Sequence, residues 1–161
     1  MADEQIFISI EGFRKLLRKL DASKKDSVIK FSLFQGAQHL AAWSKQKRLS
    51  GARPRILGVV SGRLRSSISA SRTEHTGDQY IARIGTNVKY GKVHELGFKG
   101  TVGVKSFIRR GKDGTHLVRS HTRNMNMPKR PFLKPAIEDR GNRTEVLKIL
   151  MENINGAIAR A

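Results

Sequence analysis

The sequence predicts an α+β fold: a small, mainly antiparallel sheet packed by a long N-terminal helix and a C-terminal helix, with a protruding basic β-hairpin. Three features carry this. Apolar residues recur at helical spacing near both ends, within 29–43 and 147–158. Strand-like runs twice flank turn residues in the middle of the chain, at His75-Thr76-Gly77-Asp78 and at Gly111-Lys112-Asp113-Gly114. Between these hairpins, Ile84–Gly97 (IGTNVKYGKVHELG) leaves a strand, turns through Gly85, Thr86 and Asn87, and continues through Tyr90, Val93, His94 and Leu96 to Gly97. A segment that leaves a sheet edge and lays one or two helical turns back on it makes a docking corner.

In chain order, Ile6, Ile8 and Ile10 alternate with Phe7 and Ser9, so Gln5–Ile10 reads as a short strand. Phe13, Leu16, Leu17 and Leu20 then mark one face of a two-turn helix. Ser23 and Asp26 resemble a capping box with a shortened acid and open a longer helix to about Lys47. Ile29, Leu33, Gly36, Leu40 and Trp43 share its face, widened by Phe34, Ala37 and Ala41. Gly36 either lets another backbone approach closely or is a mildly costly glycine in a packed helix. Leu49–Gly58 is a loop, with Gly51, Pro54 and Gly58 beside Arg53 and Arg55.

Leu64 and Ile68 stand four apart, as in one helical turn following Ser61-Gly62. Ser69–Thr73 and Gln79–Ile84 form the first predicted hairpin, and Thr101–Arg110 and Thr115–Thr122 the second. Val102, Val104 and Ile108 give the second only a thin apolar face, so it reads as an arm that orders against something else. Arg130-Pro131 forces an extended approach, because the residue before proline is pushed out of the helical region. Phe132 and Leu133 then plug the core, and Pro135 suits the first turn of a helix. Gly141-Asn142 reads as an interruption, with Thr144 as N-cap of a last helix whose face is Leu147, Leu150, Met151, Ile154 and Ile158. The length favours a single domain: 1–48 with the N-terminal strand and helices, 61–137 with the sheet, corner and basic arm (98–128), and 138–161 with the C-terminal helix.

Charge is the outlier in the composition. Thirty-two basic residues against 13 acidic give a net charge of +19. No acid interrupts Ser27–Thr73, and Asp113 is the only one within Phe98–Arg130. Such fields favour a polyanion or the acidic face of a protein partner. The chain has no cysteine, which excludes disulfides and thiolate metal sites. No apolar run approaches the roughly 20 residues needed to cross a bilayer, so the expectation is a soluble protein made in the cytoplasm without a membrane partner.

The residues offer no evident catalytic set. His94-Glu95 suggests a metalloprotease helix, but that motif needs a second histidine where Phe98 stands. His75, His116 and His121 lie near turns and strands without acids or cysteines at ligand spacing. The acids are scattered, and Ser61 lacks the flanking pattern of a nucleophile elbow. The glycines of 100–114 sit in a hairpin rather than between a strand and a helix, so they make no phosphate loop. No enzyme activity and no cofactor or metal is expected. For nucleic acid, the basic stretches count in favour, but few aromatic residues are left for base stacking.

Three blocks in order, Ser61–Ile68 (SGRLRSSI), Ile84–Gly97 and Arg130–Ile137 (RPFLKPAI), resemble the minor tail-component family of tailed bacteriophages, grouped with tail-completion and head–tail joining factors. Gly62, Leu64, Ile68, Gly85, Asn87, Tyr90, Glu95, Gly97, Arg130, Pro131, Phe132, Pro135 and Ala136 fill the motif places. The resemblance implies a virion structural protein of the neck or tail end, in the host cytoplasm before assembly. It implies self-association, as a sixfold ring through which DNA passes, and partners among connector, tail-tube or terminator proteins. The alternative is a sequence-independent, basic DNA-binding protein.

Candidate interface or DNA-facing residues are Arg53 and Arg55 in the loop, Arg63 and Arg65 in the first block, and Arg130 in the third. Lys105, Arg109, Arg110, Lys112 and Arg119 are the candidates on the arm. Glu95 in the corner either pairs with Arg63 or Arg130 or caps backbone N–H groups. Tyr90 and Phe132 are expected in the core rather than at a contact.

Overall fold

Small side chains decide how the two long helices meet. The first, α1 (Ala22–Lys47), buries Ile29, Ser32, Gly36, Ala37, Ala41 and Ser44, mostly small side chains; Ala41 and Ser44 at its C-terminal end face the main core, and Gly36 faces the C-terminal helix. A Cβ on Gly36 would stand 2.9 Å from Val146 Cγ1 of the C-terminal helix, so Gly36 is where the two helices touch. Asn153 Nδ2 donates to Gln35 Oε1 at 2.6 Å across the same interface. Val28 packs there with Leu150 and Ile154. The computed structural model describes residues 22–50, 57–58, 60–77, 79–112 and 114–160. The strand expected over Gln5–Ile10, the helix over Phe13–Leu20, and Arg53 and Arg55 lie outside the described residues.

Next come α2 (Arg63–Ser67), β1 (Ile68–Ala70), β2 (Glu74–Thr76), β3 (Gln79–Ile81), β4 (Ile84–Thr86) and α3 (Lys89–Leu96). The first ribbon is longer than the predicted hairpin and is broken in the middle. β1 pairs antiparallel with β4 (Ile68 opposite Thr86), and β2 with β3 (Thr76 opposite Gln79). Between these ladders residues 71–73 face only 82–83, a one-residue bulge that shifts the register. The Ser71 N–H donates to the Arg83 carbonyl at 2.7 Å, and the Arg83 N–H donates to Ser71 Oγ at 3.0 Å. His75 and Thr76, expected in the turn, belong to β2; Gly77, at φ +58°, makes the turn.

The second ribbon comprises β5 (Phe98–Val104), β6 (Phe107–Gly111), β7 (Gly114–Val118) and β8 (His121–Met127). β5 pairs with β8 and β6 with β7 in one register, from Phe98 opposite Met127 to Gly111 opposite Gly114. The two ladders are therefore a single arm, on the order of 45 Å long at about 3.3 Å per residue. Among the described residues no ladder joins this arm to the first ribbon. The predicted small sheet is thus two separate antiparallel ribbons, parted where Gly97 turns the chain at φ +76°. A Cβ there would lie 2.9 Å from Lys129 Cγ and 3.1 Å from the Met127 carbonyl oxygen.

The chain closes with α4 (Lys134–Glu138) and α5 (Arg140–Ile158). Asp139, not Thr144, caps α5: its Oδ1 accepts from the Asn142 N–H at 2.9 Å. Thr144 lies inside the helix, with Oγ1 donating to the Arg140 carbonyl at 3.0 Å. Gly141 and Asn142 do not interrupt the helix because they sit in its first turn, where Asn142 Nδ2 also donates to the Ala136 carbonyl at 2.8 Å. The main core gathers Ala41, Leu49, Leu64, Ile68, Val88 and Phe132, so α1, α2, α3's N-terminus and the RPFL turn share one apolar centre.

Candidate functional site

The corner is built by convergence on a glycine. Gly62 enters α2 at φ +72° and sets Leu64 into the core at 7% exposure. Ser67 Oγ and Thr86 Oγ1 share a hydrogen bond of 2.6 Å, fastening the end of α2 to β4. Thr86 Oγ1 also accepts the Val88 N–H at 3.1 Å as the chain turns into α3. Inside α3, a Cβ on Gly91 would meet Thr86 Cγ2 at 2.7 Å, Leu64 Cδ1 at 3.3 Å and Phe132 Cζ at 3.7 Å. The three sequence blocks thus touch at Gly91, which sequence reasoning did not single out; a glycine inside a short helix was the available signal.

Glu95 ties the third block to the second. Its Oε2 accepts the N–H groups of Phe132 at 2.8 Å and Leu133 at 3.1 Å, and its Oε1 accepts that of Lys134 at 2.8 Å. One carboxylate thereby satisfies three backbone donors at the entry to α4, where the N–H groups have no intrahelical partner. Among the described residues Glu95 forms no ion pair with Arg63 or Arg130. The Arg130 N–H donates to the His94 carbonyl at 2.8 Å. Ser44 Oγ, fully buried in α1, donates to the Phe132 carbonyl at 2.6 Å.

Beside this corner lies a groove of about 280 Å³. Leu49, Leu57 and Leu64 form its apolar floor; Val60, Tyr90 and Met127 flank it, and Arg65 and Arg130 supply cations. Phe132 is core, at 1% exposure, but Tyr90 is 41% exposed and lines the groove, which corrects its expected burial. Tyr90 lies edge-on to His94, with ring centroids 5.9 Å apart. Its position in a short helix of about two turns was legible; which side of that helix stays uncovered was not.

The candidate cations fall into two groups. Arg65 and Arg130 lie at the groove, and Arg63 is exposed on α2. Lys105, Arg109, Arg110, Lys112 and Arg119 are all exposed along the arm. The outer ladder of the arm also carries exposed apolar residues: Ile108 (68%) directly opposite Leu117 (69%), and Phe107 on the alternate face opposite Val118.

A polar cluster holds the first ribbon to α1. Asp26 sits 2.7 Å from Lys30 Nζ and 2.9 Å from His75 Nδ1, and His75 stacks on Tyr80 at 4.0 Å. The Lys30 hydrogen bond, foremost, holds Asp26 below the usual carboxylate range against a smaller opposing effect of burial. Burial, then the hydrogen bond to Asp26, pushes the Tyr80 phenol up. Thr73 Oγ1 donates to the Lys30 carbonyl at 2.8 Å beside them. Among the described residues no group of three or more His, Asp or Glu side chains is placed to hold a metal ion, and no helix is long and apolar enough to cross a membrane.

The fold and site therefore define a protein built around surfaces: a cation-flanked groove and a projecting ribbon. A model of the phage virion morphogenesis family matches residues 14–155, nearly the whole chain, and the protein belongs to that family. Its role is accordingly in building the phage virion. No curated protein and no solved structure matches the chain.

Proposed function

We propose that this chain is a structural subunit of the neck or tail end of the virion, acting in tail completion, tail termination or head–tail joining. Copies associate as a ring, sixfold, through which DNA passes, and bind neighbouring connector, tail-tube or terminator proteins. The observation that supports this is the arm: a ribbon on the order of 45 Å long, with the exposed Ile108–Leu117 pair and seven exposed lysines and arginines on a chain of a virion-assembly family. So much exposed apolar surface beside charge is characteristic of a contact surface. Electron microscopy of particles made by an amber mutant tests it. Particles with unjoined or unfinished tails are expected; normal infectious virions lacking the protein would refute the reading.

The arm's exposed cations also favour a second reading, non-specific contact with DNA. Neutralising 6–10 phosphates makes affinity fall about a thousand- to hundred-thousand-fold between 50 and 200 mM salt. Absence of binding at low salt removes this reading.

A further inference from the structure

Of the seven large apolar side chains most exposed among the described residues, five lie at two places. Phe107, Ile108 and Leu117 are on the outer ladder of the arm; Val60 and Tyr90 are at the groove. One place is convex and the other concave. We propose that they belong together: the Ile108–Leu117 pair of one copy docks in the groove of a second copy. This rests on the virion-subunit reading and specifies how copies join.

Geometry makes the contact intermolecular. Met127, the root of the arm, lines the groove, whereas Ile108 is ten pairs further along the same register from Phe98, roughly 30 Å away. With the ladder closed, the state in which Ile108 and Leu117 stand opposite each other as a pair, the tip cannot reach its own groove. A chain of 161 residues has a radius of gyration of about 15 Å, hence a body roughly 40 Å across, and the arm spans such a body in a neighbour. The sizes also agree. An apolar cavity of about 150 Å³ holds a benzene-sized group, so a groove of about 280 Å³ has room for the two branched side chains of the pair. An arm-to-groove contact is heterologous and builds a ring where its rotation closes. Arg65 and Arg130 at the groove and Arg109 and Arg110 on the arm repel each other. Salt must therefore strengthen the contact, the reverse of its effect on DNA binding.

The chain has no cysteine, so disulfide trapping reports only introduced thiols. In the full chain, Val60→Cys with Leu117→Cys should give disulfide-linked oligomers under mild oxidation, increasingly between 0.15 and 1 M salt, where the screening length falls from about 8 to about 3 Å. The two single variants mixed should link to each other and stop at dimers. Phe31→Cys, exposed on α1, should not link to Leu117→Cys. The inference is overturned if Leu117→Cys links as readily to Phe31→Cys as to Val60→Cys, links only to itself, or links to nothing at high salt. Products of the double variant separate the two readings. A ladder beyond two supports both; a doubly linked dimer keeps the arm-to-groove contact and removes the ring.

Discussion

Glu95 and Gly91 show how single residues hold the corner. A carboxylate offers acceptors to all three N–H groups it meets, whereas an amide keeps an acceptor only on one side. Glu95→Gln should cost about 1–3 kcal/mol, the worth of a hydrogen bond to a charged group or of one unsatisfied donor. Glu95→Ala should cost more. Urea unfolding reads both as a lowered midpoint with an unchanged slope. Gly91→Ala places a methyl 2.7 Å from Thr86 Cγ2 and 3.3 Å from Leu64 Cδ1. Overpacking of that kind costs about 1–3 kcal/mol. Gly85→Ala meets nothing within 4 Å and serves as the control. A Gly91→Ala protein as stable as that control would mean the three blocks do not depend on their close approach.

At the scale of elements, helical extent was legible and fine placement was not. The 3.6-residue period marked α1 to its end at Lys47, because burial of one face imposes that period whatever the partner. The seam itself uses Ser32 and Ser44, polar residues whose hydroxyls bond to the Val28 and Phe132 carbonyls and so pass as small core side chains. The bulge at 71–73 was hidden because pairing register depends on both strands together, and no turn residue marks it. Likewise Thr144 was read as the cap of α5, whereas the helix starts a turn earlier, where Asp139 Oδ1 accepts the Asn142 N–H and the Asn142 side chain ties that turn to the Ala136 carbonyl.

The Asp26 cluster, which fastens the first ribbon to α1, yields a prediction at this scale. Asp26 is depressed in the fold, so the stability it contributes is present above its unfolded value of 3.8 and is lost as pH falls through the lower folded value. Tyr80 is raised, so its contribution is full below 10.0 and is lost as pH rises through the higher folded value. Asp26→Asn should flatten the loss of stability at the acid end and leave the profile near neutrality unchanged in shape. Thermal unfolding across pH measures it; an identical acid limb in the variant would show that Asp26 is not coupled to folding.

For the whole molecule, the arm is where fold and assembly separate. The hydrophobic core lies at α1, α2, α3 and the RPFL turn, with a second cluster between α1 and α5, while the outer arm exposes nearly every residue of β6 and β7. Arg109 and Arg110 within the ladder, with Lys112 and Arg119 at its two ends, concentrate positive charge there, and a two-stranded ribbon without a covering layer is marginal in water. Ordering each residue costs about 1–2 kcal/mol of chain entropy, which exposed side chains do little to offset. The free chain should therefore open this ladder readily, and assembly should close it by covering the Ile108–Leu117 face. Deleting Lys105–Arg119 should leave the melting of the core nearly unchanged and abolish incorporation into particles. Amide exchange in the isolated chain decides the dynamic half: fast exchange is expected over Phe107–Val118 and slow exchange over Ile29–Leu40. Equal protection in the two segments would mean that the arm is a fixed part of the fold, and that its ordering does not depend on assembly.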